Sequence, residues 1–323
     1  MPIRLVDDPN QGGGGRRDPR RPGGGSGNGL LRYLLPLLFS LFRRNPKMGL
    51  LLLILAGGFY FFAMRGNNSE VQNQIAHALG CDMSPEMYAK SEIYEPLASD
   101  YKGGLPRKIS LKKFAPERLN QGKQGSCVGW ASSYAARTIL HSRATGKNPN
   151  EIAFSPSSLY NQISLPRCQG AYLHNAMDVM KGTGVLPWGD FGYDENSCSR
   201  KLSQSQYDKA SQFTTKGFQR LWKNHGEVDM TAIKQNLAQG APVVIGMMVG
   251  GSFMQNMRGK NTWVPNNRDY GQGGFGGHAM CVIGYDDDRK AFEIMNSWGP
   301  EWGNNGIAWV GYQDFAHFTR EAY

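Results

Sequence analysis

The apolar positions of this chain fall into three regimes. Residues 9 to 29 are Gly, Pro and Arg with almost nothing to bury, which predicts a flexible tail. Between Lys47 and Arg65 lie 17 uncharged residues, Met48 to Met64, apolar all round and lacking a polar face. That run is at the short end of the ~17–25 residues a bilayer-spanning helix needs, and Phe59, Tyr60, Phe61 and Phe62 gather at one end like an interfacial aromatic belt. The earlier run Tyr33 to Phe42, closed in by Arg32, Arg43 and Arg44, is too short to span and is expected to lie in the membrane interface. Residues 65 to 104 read as a polar, partly helical stalk, and from residue 105 the pattern is that of a packed domain. After Cys127, Ala131, Tyr134, Ala135, Thr138 and Ile139 recur at threes and fours, a helix that Gly146 can stop. TAIKQNLA predicts a second amphipathic helix, broken by Gly240 and Pro242, ahead of a strand from Val243 to Val249. His278 opens a strand buried on both faces, in which Ala279, Cys281 and Ile283 alternate with Met280 and Val282. Asp286 to Asp288 make the turn and Ala291 to Trp298 returns. A hairpin centred near Asp287 sets His278 opposite Asn296, with Cβ atoms about 4.5–5.5 Å apart. Helices dominate to about residue 215 and strands follow.

Composition changes this picture little. With 323 residues and 40% hydrophobic content a sizeable core is possible. The formal charge of +10 divides into +7 within residues 1–65 and +3 beyond, so the domain needs no nucleic-acid partner to account for it. Basic residues concentrate before Met48, and only Arg65 follows closely. The positive-inside rule therefore places the N-terminus in the cytoplasm and everything after residue 65 outside it. The absence of an A-x-A-like site favours an uncleaved signal anchor. Five cysteines are too few for a disulfide scaffold, and without CxxC spacing a structural zinc site is not expected. Their odd number leaves at least one thiol free.

The chemistry begins at Gln121, where the chain reads QGKQGSCVGWASSYAARTIL. The turn-forming GKQGS puts Cys127 at a helix N-terminus, where free N–H groups and the macrodipole favour a thiolate. A thiolate nucleophile needs a base. Of His77, His141, His174, His225, His278 and His317, the strand context GGHAMCVIG selects His278. Two other patterns carry less. The GxGxxG formed by Gly271, Gly273 and Gly276 leads into a strand, so it reads as a loop bordering a cleft instead of a phosphate cradle. The Asp286 to Asp288 run reads as a solvated turn instead of a calcium site.

The QGxxGSC segment, the GHA around His278 and the NSWG around Asn296, continued as NSWGPEWGNNG, resemble the papain family of cysteine peptidases. The resemblance covers residues 105–323. It implies an α+β, papain-like two-part fold, here with an N-terminal transmembrane helix: a helical half over about 105–215 and a β-barrel-like half over about 216–323. It also implies a catalytic set. Cys127 would be the nucleophile, His278 its ion-pair partner and the acid for the leaving amine, and Asn296 the group orienting the imidazole under Trp298. Gln121 would supply the oxyanion hole. Two departures stand out: Gln124 where the family commonly has a second cysteine, and Val128 where it has an aromatic residue, with Trp130 two positions on. The second is expected to reshape the cleft floor.

Residues 168 to 198 resemble the family's CNGG segment and following cysteine, with Gly170 and Ala171 in place of the glycine pair along which substrate lies. Ala171 is expected to narrow that side of the cleft; Gly277 and Trp298 complete the substrate-binding set. Because Gln124 cannot supply the usual partner, the resemblance implies a Cys168–Cys198 disulfide and hence an oxidising compartment. Cys81 has no evident partner. No long inhibitory propeptide is expected ahead of the domain. The implied activity is peptide-bond hydrolysis through an acyl-enzyme, without cofactor or metal. It would act on a peptide or protein substrate from a single-pass anchor at 48–64, a basic cytoplasmic tail at 1–47 and a stalk at 65–104. The alternatives are a peptide-binding module without hydrolysis, and an acyl or amide transferase using the same cleft.

Overall fold

The computed structural model describes residues 78–95 and 104–323. The tail, the expected membrane span at 48–64, His77 and the remainder of the stalk lie outside these residues. Among the described residues no helix is long and apolar enough to cross a membrane. Residues 78–95, expected within a polar stalk, are docked on the domain. They carry helix α1 (Pro85–Ala89), whose first turn is capped by Ser84 Oγ accepting from the Met87 N–H, with Pro85 at its start. Strand β1 (Lys108–Ser110) follows.

Helix α2 begins as Cys127–Gly129, passes through a π-helical stretch, Trp130–Arg137, and ends as Thr138–Thr145. Gly146 stops it in the left-handed conformation (φ 68°), at the position the sequence predicts. Every residue of the π-helical stretch is buried, so α2 is the spine of the helical half. Around it lie α3 (Pro156–Ile163), capped by Ser155, and α4 (Leu173–Gly182). Helix α5 (Gln204–Ala210) opens with a Ser203/Gln206 capping box. Helix α6 (Met230–Ala238), capped by Asp229, then leads through Gly240 and Pro242 into strand β2 (Val243–Val249), as the breaker residues imply.

The second half is built from α7 (Gly251–Gln255), β3 (Thr262–Trp263), α8 (Asn267–Tyr270), β4 (Gly276–Asp286), β5 (Ala291–Met295), β6 (Ile307–Gly311), α9 (Tyr312–Phe318) and β7 (Thr319–Ala322). Its sheet runs β3-β6-β5-β4-β2-β7, with β1 also paired to β4. β4 is the centre: residues His278 to Tyr285 are all buried, which explains their unbroken apolarity. One edge of β4 pairs first with β2 and then with β1, so the segment before the helical half closes the sheet of the other half.

The hairpin register differs from expectation. Asp286 pairs with Ala291 and Gly284 with Glu293; a shift between Val282 and Gly284 then pairs Cys281 with Met295. The turn therefore spans Asp287–Lys290, later than an Asp287-centred turn. His278 and Asn296 are not cross-strand partners, and His278 pairs instead with Met247 of β2.

Candidate active site

Cys127 opens α2 after a turn in which the Ser126 N–H donates to Gln124 O (2.8 Å). The turn must be lean: a Cβ on Gly125 would meet Leu79 O at 2.9 Å and Cys168 O at 3.2 Å. At Gly129, α2 crosses α3 so closely that a Cβ would lie 2.6 Å from Pro156 O. Val128 is fully buried, and Trp130 packs with Tyr134, Tyr193 and Trp188 at ring-centroid distances of 4.8, 4.9 and 5.9 Å. Val128 thus joins the same buried cluster as Cys127 and Trp130. Gln124 donates from Nε2 to Asp194 O (3.2 Å). Cys168 and Cys198 form a disulfide across 30 residues, the pairing the resemblance implied. A hydrogen bond and a covalent bond thereby hold the 194–198 loop.

On the opposite wall the His278 ring meets Asn296 Oδ1 through Nε2 at 2.7 Å, and Trp298 stacks on it with centroids 4.3 Å apart and planes at 26°. The early end of β5 makes this possible. The strand stops at Met295, the edge of β4 beside His278 is left without a strand, and Asn296 to Trp298 turn into that gap. Asn296 Oδ1 also accepts from the Ser297 N–H (2.8 Å), which fixes the amide. Ser297 in turn donates from Oγ to Gln121 Oε1 (2.6 Å), and the Gln121 N–H donates to Ser297 O (2.8 Å). With Oε1 held there, Gln121 Nε2 is left to face the cleft. The Cys127 sulfur lies against the N–H groups of Ala279, Val128 and Cys127 itself, so the residue directly after His278 adjoins the thiol. Cys127, His278, Asn296 and Gln121, some 170 residues apart in sequence, form one buried group. Ser297 was not singled out from sequence, although it lies inside the NSW that was.

Residues 107–318 match the sequence profile of the Papain family cysteine proteases. The chain belongs to that family. It is a cysteine peptidase. An uncharacterized peptidase C1-like protein of Acanthamoeba polyphaga mimivirus is 30% identical over 217 residues, covering 64% of this chain and 68% of that protein. Cathepsin K of Mus musculus is 27% identical over 231 residues, covering 68% of this chain and 63% of its own length. Among solved structures, xylellain, a cysteine protease from Xylella fastidiosa, superposes with a TM-score of 0.61 at 22% identity. It covers 77% of this chain and 95% of its own, a likeness of fold.

The cleft of this papain-family peptidase is occupied by its own residues 78–83. The Ala78 carbonyl accepts from Gln121 Nε2 (3.1 Å) and from Trp298 Nε1 (3.3 Å). The N–H groups of Gly80 and Cys81 donate to Gly277 O (3.2 and 3.1 Å). The Ala171 N–H donates to Gly80 O (2.9 Å), and Asp82 N–H donates to Ala171 O (3.1 Å), a parallel pairing of the two segments. Gly170, Ala171, Gly277 and Trp298 therefore all touch a peptide lying in the cleft. Ala171 holds this strap through its backbone N–H and carbonyl and is fully buried beneath it. Gly170 holds φ 127° and its Cβ would fall 2.8 Å from Gly80 O, so the glycine is required there.

Burial pushes the Cys127 thiol up to about 12, although the Ala279, Val128 and Cys127 N–H groups act in the opposite direction. The thiolate favoured by the helix start is thus opposed by burial while the strap occupies the cleft. Cys81, in the strap, and Cys281, in β4, are also free and buried. Sequence reasoning missed the strap, because ALGCDM carries no helical or strand periodicity. Its one signal is Gly80, whose Cβ would lie 2.1 Å from Gly125 O.

Proposed function

We propose that this cysteine peptidase hydrolyses peptide bonds with Cys127 as nucleophile and His278 as proton carrier. The observation that carries the reading is the His278 Nε2 contact to Asn296 Oδ1 under the stacked Trp298. With Nε2 committed to Asn296, Nδ1 is the nitrogen that takes the Cys127 proton. The thiolate attacks the substrate carbonyl carbon, and the oxygen, turning negative, is met by Gln121 Nε2 and the Cys127 N–H. That Gln121 Nε2 already donates to a peptide carbonyl, Ala78 O, supports this role. The C–N bond then breaks as His278 returns its proton to the leaving amine, and water, deprotonated by the same imidazole, releases the acyl group. Gly170, Ala171 and Gly277 align the substrate backbone through the groups that now hold the strap.

The strap must leave the cleft before substrate enters. The reading extends to an enzyme tethered by residues 48–64 with its N-terminus cytoplasmic and its domain outside. The charge distribution supports that topology, and so does the Cys168–Cys198 bond, which needs an oxidising compartment. Reaction of intact cells with a membrane-impermeant protease tests it: the domain should be digested and the tail protected.

A second reading, a module that binds peptide without cutting it, has one observation in its favour, the peptide segment 78–83 lying across the site. An epoxide that alkylates papain-type thiolates separates the two. It should label Cys127 in strap-released protein, and Cys127→Ala should abolish turnover of a peptide library. Labelling without any turnover would leave only the binding module.

A further inference from the structure

Three cysteines outside the disulfide, Cys81, Cys127 and Cys281, are free and buried. Cys281, within β4, is isolated: only burial acts on its thiol. Cys81 and Cys127 are neighbours. Besides its burial, the Cys81 thiol is pushed up by charge on Cys127, so the two sulfurs stand close enough to feel each other's ionisation. One belongs to the strap and the other is the nucleophile that the strap covers.

Main-chain bonds hold Cys81 in this place from both sides. Its own N–H donates to Gly277 O (3.1 Å), while Gly80 O accepts from the Ala171 N–H (2.9 Å) and the Asp82 N–H donates to Ala171 O (3.1 Å). In a paired, extended segment, side chains two positions apart share a face. Met83 shows which face this is, because its Sδ lies 2.8 Å from where a Cβ on Gly246 of β2 would be. Cys81 therefore points inward as well, and only 5% of it is exposed. Both cysteines touch the same two walls. Gly277, which grips Cys81, is two residues before Ala279, whose N–H meets the Cys127 sulfur. Gly80 presses on Gly125, two residues before Cys127, where its Cβ would fall 2.1 Å from Gly125 O.

We propose that Cys81 is a redox latch: in an oxidising compartment its sulfur bonds to that of Cys127, tying the strap into the cleft and masking the nucleophile until a thiol reductant opens the bond. The inference rests on the reading of Cys127 as nucleophile and adds a control to it. The Cys168–Cys198 disulfide is the sign of such a compartment. The chemistry is thiol–disulfide exchange with a low-molecular-weight disulfide. With the strap open, the Cys127 thiolate attacks that disulfide and one thiol departs. Docking then brings Cys81 to the mixed disulfide, and its sulfur displaces the second thiol. The two cysteines give up two protons and two electrons, and the small disulfide, taking them, becomes two thiols. Activation reverses the exchange, with the reductant ending as a disulfide and both cysteines regaining their protons.

Full-length protein equilibrated in reduced and oxidised glutathione, quenched with acid and mapped without reduction, provides the test. Oxidised wild type should yield a peptide pair joined through Cys81 and Cys127 beside the Cys168–Cys198 pair, and adding dithiothreitol should separate the former. Under conditions that release the strap from reduced protein, the oxidised form should take up a papain-type epoxide at least about tenfold more slowly. Cys81→Ser should give no such cross-link and should carry glutathione on Cys127 instead; Cys281→Ser should keep the cross-link. Free thiols at both positions, a glutathione adduct on wild-type Cys127 in place of the cross-link, or a bond from either cysteine to Cys281 would each overturn the latch. Should Cys81→Ser fail to fold, the wild-type map decides alone. The two readings separate cleanly: reduced protein that cuts peptides but never cross-links refutes the latch and keeps the peptidase, whereas a reversible cross-link in protein that cuts nothing when reduced keeps the latch and refutes the peptidase.

Discussion

At the scale of single residues, the site is a set of side chains each fixed by a neighbour. His278 is held by Asn296, Asn296 by the Ser297 N–H, and Gln121 by Ser297 Oγ. Removing Asn296 leaves the imidazole free to rotate and its tautomer unset. Asn296→Ala is expected to lower kcat by about 10²-fold with KM nearly unchanged, as steady-state kinetics normalised to epoxide-reactive sites would register. Gly80 is the corresponding point in the strap, because any Cβ there runs into Gly125 O. Gly80→Val should displace the strap, expose Cys127 and speed its alkylation at neutral pH, since the burial that pushes the thiol up to about 12 is relieved. Unchanged alkylation rates in wild type and variant would show that the strap does not govern the thiol. The candidate residues Cys127, His278, Asn296 and Gln121 were legible because each sits in a local motif. Ser297 and Glu321 were not, because a lone Ser or Glu acquires meaning only from what stands across from it.

At the scale of elements, breakers made the helices readable: Gly146 ends α2, and Gly240 with Pro242 separates α6 from β2. Register was less readable. The irregularity between Val282 and Gly284 moves the β4–β5 pairing, and no residue in the hairpin announces it. The correct neighbours still met, because β5 stops at Met295 and the chain bends Asn296 back to His278. The disulfide acts at this scale too. It closes a loop of 30 residues that carries the Gly170–Ala171 segment, so Cys168→Ser with Cys198→Ser should lower stability by about 3–4 kcal/mol. Urea unfolding with an unchanged midpoint would show that the bond contributes nothing. Because Gln124 anchors Asp194 independently, the cleft wall should hold enough shape for residual activity in that double variant.

At the scale of the whole molecule, the last strand, the strap and the two halves converge on one buried acid. Burial holds Glu321 up at about 8 against its ordinary 4.5; the Ser84 N–H opposes this and the nearby Asp82 charge adds to it. Tyr88, Tyr323, Cys81 and His225 also face it, and Asp82 is the acid that adds charge. The sign follows from proton binding: between pH 4.5 and 8 the unfolded chain has released this proton and the folded chain has kept it. Stability from this group is therefore complete below about 4.5 and is lost as pH rises through about 8, at roughly 1.4 kcal/mol per pH unit. Chemical unfolding of the strap-bound protein should show that decline, and Glu321→Gln should flatten it; a wild-type curve rising over the same window would contradict it. By itself the sequence picked out Cys127, His278, Asn296 and Gln121 as candidates and the order of helical and strand-rich halves, because contiguous motifs and local capping encode them, while the family resemblance supplied the Cys168–Cys198 pairing. Only the tertiary structure decided that the segment before the domain fills the cleft and that an acid near the C-terminus stands beneath it. Both depend on contacts between residues far apart in the chain, from 43 positions for Gln121 and Ala78 to 220 for Ala78 and Trp298, and no local pattern records which buried group will face which.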